Sequence, residues 1–222
     1  MKLKVEIWSD VMCPWCYIGK RRFENALSRF EHADKVQIVW KSFQLDPNLK
    51  TEPDKRVNQM LADKKGWTIE RAQQANDHVT NLANELGLIY NFDKAIVANS
   101  FDAHRFTHLA KWYELSDAAE ERLFQAYFTE GKNIADHSTL AQLGADIGIP
   151  AEEVEKMLGS NEFIDSVKRD AYEAQQVGAR GVPFYVFNNK YAVSGAQMPE
   201  VFLEVLNKTW QELAIDIKVE KN

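Results

Sequence analysis

Both cysteines of this 222-residue chain, Cys13 and Cys16, fall in a single turn between a strand pattern and a helix pattern. Leu3, Val5 and Ile7 alternate with Lys4 and Glu6, the period of a half-buried strand. From Pro14 to Phe30 the period becomes helical, with Phe23, Leu27 and Phe30 on one face. Pro14 suits the first helical turn, where its missing N–H is not needed. Val36 to Phe43 then reads as a second strand. A β-α-β unit of this kind defaults to a parallel pair with a right-handed crossover. The turn also limits the chemistry. A disulfide closed over so short a loop restricts the unfolded chain little, so the pair makes a poor staple. A thiol just ahead of a helix meets unpaired N–H groups and the positive end of the helix dipole, which favour a thiolate.

Asp46-Pro47 to Glu52-Pro53 is polar and broken by proline, a plausible boundary. About a hundred helix-like residues follow, segmented by Ser, Thr or Asn starts and Gly stops. Thr68 is expected to cap a helix ended by Gly87, and Ser100 one from Phe101 to Tyr113. Ser116 is expected to cap a helix ended by Gly131, and Ser138 one ended by Gly148. Pro150 opens a helix ended by Gly159, and Asn161 caps a last one ended by Gly178. Strand patterns return at Phe184–Phe187 and Tyr191–Ser194, around the turn Asn188-Asn189-Lys190. A closing helix is expected from Pro199 to about Leu213, with a frayed polar tail, 214–222. Without the helical block the order is β-α-β-α-β-β-α. This predicts an α/β protein, a thioredoxin fold with a large all-helical insertion. The expected division is 1–50 and 165–222 for a discontinuous thioredoxin-like domain and 51–164 for the insertion.

Net charge is -6, with Lys and Arg scattered, which speaks against nucleic acid or an anionic membrane surface as partner. No apolar run approaches the ~20 residues of a membrane helix. The N-terminus enters a strand at once and lacks the apolar stretch of a signal peptide, so a cytoplasmic location is expected. In a reducing compartment, paired cysteines are usually catalytic. No phosphate loop, Ser-His-Asp set or paired-carboxylate signature is evident, and no coiled-coil pattern fixes an oligomeric state.

Ser9-Asp10-Val11-Met12-Cys13-Pro14-Trp15-Cys16-Tyr17-Ile18-Gly19 resembles the active-site turn of the DsbA superfamily, most closely its FrnE-like cytoplasmic branch. Asn99 to Arg105, Gly178 to Phe184 and Tyr191 to Gln197 extend the resemblance over nearly the whole chain. It implies dithiol–disulfide exchange with protein or low-molecular-weight substrates. Cys13 would be the exposed nucleophile and Cys16 the buried resolving thiol. Pro183 would be a cis-proline that turns the backbone of Val182 toward the dithiol, where it could meet an extended substrate. Pro14, Trp15, Asn99 and His104 become candidate substrate contacts. No cofactor is implied, and glutathione is a candidate substrate.

Each candidate has a plainer reading. Ser100 makes sense as a helix cap alone, and His104 as a hydrogen-bonded histidine packing the helical block to the rest. Cys13 and Cys16 with His104 and His108 formally make a Cys2His2 zinc set, but their spacing is far from that of a zinc finger, and no metal is expected. Trp8, Trp40, Phe43, Phe101, Trp112, Phe124, Tyr127, Phe128 and Phe184 fit core or interdomain packing, leaving Trp15 exposed. Two other activities remain open. One is a glutathione-dependent enzyme like the related 2-hydroxychromene-2-carboxylate isomerase and kappa-class glutathione transferase, in which a serine typically stands where Cys13 stands. The other is a chaperone-like binding module.

Overall fold

The computed structural model describes residues 2–220. In chain order, β1 (Leu3–Ser9), α1 (Pro14–Ser28) and β2 (Val36–Ser42) come first. Then follow β3 (Glu52–Arg56), α2 (Val57–Lys65), α3 (Ile69–Asn84) and β4 (Ile96–Val97). Next are α4 (Phe101–Trp112), α5 (Ser116–Phe124), α6 (His137–Asp146) and α7 (Ala151–Leu158). The chain closes with α8 (Ile164–Gln176), β5 (Phe184–Phe187), β6 (Tyr191–Ser194) and α9 (Pro199–Glu220).

The main sheet has the order β2-β1-β5-β6. β1 and β2 are parallel, with Leu3 opposite Val36 and Ser9 opposite Ser42. β5 is antiparallel to β1, placing Tyr185 opposite Ile7. The β5–β6 hairpin turns through Asn188 and Asn189, at φ 48° and 55°, a conformation asparagine tolerates better than most side chains. Alternation in β1 and β5 sends Leu3, Val5, Ile7, Tyr185 and Phe187 to one face, where Phe23 of α1 and Phe202 and Leu206 of α9 cover them. On the other face Trp8, Phe184 and Val186 meet Ala174 of α8. A thioredoxin fold with helices inserted between β2 and β5 accounts for this arrangement.

The largest core lies among the inserted helices and runs without a break into the start of α1, taking in Cys13, Cys16, Tyr17 and Ile18 with Phe106, Leu123, Phe124 and Phe128. The insertion also holds a short antiparallel ribbon of β3 and β4, absent from the sequence reading. A π-helical turn, Gln125–Glu130, continues α5 up to Gly131.

Four expected caps are placed differently, among them Ser116, which is the first residue of α5 behind an N-cap at Leu115. Asp136, not Ser138, caps α6 and accepts the N–H of Thr139 at 2.8 Å. The N-cap of α8 is Phe163, in the left-handed region, not the expected Asn161. There the buried Arg105 guanidinium donates to the carbonyls of Met157, Ser160 and Glu162, so the turn is closed from outside itself. Ser100 precedes α4 without a capping hydrogen bond. The carboxamide oxygen of Asn99 instead accepts the N–H of Phe101, at 2.8 Å. Trp112, expected to be packed, is 80% exposed and meets the Phe163 ring in a T-shaped contact at 5.9 Å between centroids. α9 runs on to Glu220 rather than fraying near Leu213. Residues 221–222 of the expected tail lie outside the described residues.

Candidate active site

Cys13 occupies the N-cap position of α1 with extended backbone, and Pro14 opens the helix. The turn is fixed by Cys13 N–H donating to Asp10 O and Cys16 N–H donating to Cys13 O, both at 2.9 Å. The Tyr90 hydroxyl donates to Pro14 O at 2.7 Å and ties the helix start to the inserted block. Cys13, expected to be exposed, is 4% exposed, because Val182 and the inserted helices close over it. Its thiol donates to Val182 O at 3.5 Å, and the Val182–Pro183 peptide bond beside it is cis. Cys16 is buried as the third residue of α1, within its first turn. Burial, and then the adjoining Cys13, push its thiol well up from the ordinary range. Trp15 sits between the thiols in sequence and is partly exposed at the rim.

Asp10 is the site residue that sequence reasoning missed. It is buried between β1 and the cysteine turn, and its carboxylate accepts the N–H groups of Leu45 at 2.7 Å and Met12 at 3.3 Å. His104 Nε2 lies 3.5 Å from Asp10 Oδ1. Burial works against both charges, but each partner outweighs it, so Asp10 is held below the carboxylate range and His104 above the imidazole range. A charged residue at the inner end of a buried strand was the available signal. His104 thus clamps α4 to the cysteine turn and does not line the cavity described below. Asn99 does not line it either. Its carboxamide nitrogen donates to Leu49 O and Pro47 O, and its oxygen accepts from Gln44 as well as Phe101. Every polar atom of that side chain is engaged in bracing the loop after β2. His108 contacts Asp170 of α8 at 3.0 Å, so the formal Cys2His2 set is not assembled. Among the described residues no group of three or more His, Cys, Asp or Glu could hold a metal ion.

A cavity of about 500 Å³ opens beside Cys13. Cys13, Pro14, Trp15 and Val182 form one side, and apolar side chains from the loop after β2, from α2 and from α3 form the other. The two thiols, the Val182 carbonyl and this cavity make one continuous site. It has what dithiol chemistry requires: a thiol next to a ligand space, a second thiol behind it, and a backbone wall across from both.

The sequence matches the model of the DSBA-like thioredoxin domain over residues 4–207. It is 26% identical over 211 residues to an uncharacterized protein of Bacillus subtilis, YwbO, covering 93% of this chain and 97% of that one. The crystal structure of a probable DsbA oxidoreductase from Streptomyces coelicolor is similar at TM-score 0.89 and 40% identity, covering 95% of this chain and 91% of that one. The cytosolic disulfide reductase DsbM from Pseudomonas aeruginosa has the same fold, at TM-score 0.65 and 15% identity, covering 94% of this chain and 98% of that one. No helix among the described residues is long and apolar enough to cross a membrane. The chain belongs to the DSBA-like thioredoxin domain family.

Proposed function

We propose that this protein is a thiol–disulfide oxidoreductase that exchanges its Cys13/Cys16 dithiol with protein or low-molecular-weight disulfides. The observation that carries this reading is the position of Cys13, at the head of α1, against the Val182 carbonyl and on the wall of a ligand-sized cavity, with Cys16 buried behind it. In the reducing direction the Cys13 thiolate attacks one substrate sulfur. The substrate S–S bond breaks, and the other half leaves as a thiolate that takes a proton. Cys16 then loses its proton and attacks Cys13, releasing the second half as a thiol and leaving a Cys13–Cys16 disulfide. Two electrons pass from the dithiol to the substrate.

In this reading residues 1–50 and 165–222 form the catalytic unit, and 51–164 the insertion that roofs it. Pro14, Trp15, Val182 and Pro183 contact substrate. The enzyme works in the cytoplasm, where a strongly reducing thiol pool can recharge the dithiol. Dithiothreitol-driven insulin reduction tests the reading. Wild-type protein should turn over and Cys13→Ser should show none. Equal rates for the two proteins, with insulin and with low-molecular-weight disulfides alike, would overturn the assignment.

A further inference from the structure

The cavity beside Cys13 is built differently from a surface that holds extended polypeptide. Val57, Met60, Leu61 and Lys64 recur at helical spacing along α2 and all line it. Met60, Leu61 and Trp67 are only half-buried, so apolar surface remains uncovered inside it. Most polar groups of the wall are engaged with one another or with the protein behind them. Asp46 pairs with Lys64 at 2.9 Å, Asn76 donates to Asn58, and Asp10 faces His104. Apart from the exposed Lys65, what remains to read a ligand is mainly apolar. Its volume, about 500 Å³, lies within the ~300–1,000 Å³ of small-molecule sites. Cys13 is 4% exposed, so a flat protein surface cannot bring a disulfide up to its sulfur, whereas a slender ligand entering the cavity can.

We infer that the cavity receives the bulky apolar arm of a low-molecular-weight disulfide, which it holds with one sulfur against Cys13. This rests on the oxidoreductase reading above and names its substrate class. The arm lies between α2, α3 and Trp15 while the reacting sulfur points to Cys13. Attack breaks the S–S bond, and Cys16 then releases the bound half as a thiol, as in the exchange already described.

The test compares three substrates, with dithiothreitol as reductant. Bis[2-(2-naphthyl)ethyl] disulfide carries the arm, bis(2-hydroxyethyl) disulfide lacks it, and both release alkyl thiols of similar basicity. Insulin supplies the polypeptide. Burying an aromatic arm of this size predicts at least a tenfold higher kcat/KM for the naphthyl compound over the hydroxyethyl one. Filling the cavity with Ala75→Trp, or charging its wall with Met60→Glu, should bring that ratio to threefold or less. A wild-type ratio near one overturns the inference and needs no variant. Variants that slow insulin as much as the naphthyl compound would assign the cavity to polypeptide and also overturn it. Failure of wild-type protein to reduce any of the three would instead overturn the oxidoreductase reading itself.

Discussion

Gly19, one turn after Cys16, faces Tyr185 of β5 and Pro183 just before it. A Cβ there would lie 2.6 Å from the Tyr185 hydroxyl and 2.9 Å from Pro183 Cγ. Alanine would return up to about 1 kcal/mol of helix propensity, but overpacking costs about 1–3 kcal/mol, so the clash wins. We expect Gly19→Ala to lower the denaturant midpoint by the equivalent of about 1–2 kcal/mol. The Tyr185 hydroxyl is buried without a hydrogen-bond partner, so Tyr185→Phe alone should be neutral or slightly stabilising. Combined with Gly19→Ala it should recover part of the loss, and a double variant with strictly additive losses would contradict the packing described.

Glu120 is a second residue whose setting is costly. It is 3% exposed, one carboxyl oxygen has no partner, and burial raises its pKa from the usual carboxylate range to about 7. The folded protein therefore holds a proton that the unfolded chain releases above about pH 4.5, and stability falls as pH rises from there to about 7. Glu120→Gln should be as stable as wild type at pH 4 and more stable at pH 8, by up to about 3 kcal/mol. Chemical denaturation at the two pH values checks this. A variant less stable than wild type at pH 8 would show that the carboxylate is stabilised in a way the structure does not contain.

At the scale of elements, what was legible in the sequence was whatever is decided locally. The 2-residue and 3.6-residue periods located β1, α1, β2 and the β5–β6 hairpin, because each buries one face against the same core. Thr68 was readable as a cap and accepts the N–H of Arg71. The caps that moved did so for reasons that lie elsewhere in the chain or between near-equivalent residues. Asp136 and Ser138 compete two positions apart, and the carboxylate, which also accepts from the Ser138 hydroxyl, takes the cap. Asp136→Ala should cost about 1 kcal/mol and Ser138→Ala much less, measured by thermal unfolding, and the reverse order would restore Ser138 as the cap. The turn before α8 depends on Arg105, far away in sequence, and no local pattern announces it. The β3–β4 ribbon was hidden because Glu52–Arg56 is mostly charged and contains Pro53, against strand propensity, and its pairing with Ile96–Val97 is entirely non-local.

For the whole molecule, one core joins the dithiol to the inserted helices, so the reactive turn and its roof are packed as a unit. Tyr17 of α1 stacks on Phe124 at 4.8 Å between centroids, and Arg21 donates to Glu121 of α5 at 2.9 Å. The thiols, Val182 and Pro183 were legible because a short motif and its resemblance carry them. The cavity was not, because its walls come from many separate stretches, among them the loop at Leu45, α2 and α3. Asn99 and His104 illustrate the converse. Both lie in a stretch that suggests function, but the structure commits Asn99 to bracing the loop after β2 and His104 to holding the cysteine turn through Asp10.

The central claim is that Cys13 carries the substrate as a mixed disulfide and Cys16 resolves it. Mass spectrometry of Cys16→Ser protein treated with bis(2-hydroxyethyl) disulfide tests this directly. The account predicts a stable adduct of one 2-mercaptoethanol half on Cys13, and no adduct on Cys13→Ser protein treated in the same way. A Cys13→Ser protein that forms the adduct on Cys16 as readily, or a Cys16→Ser protein that forms none, would contradict it.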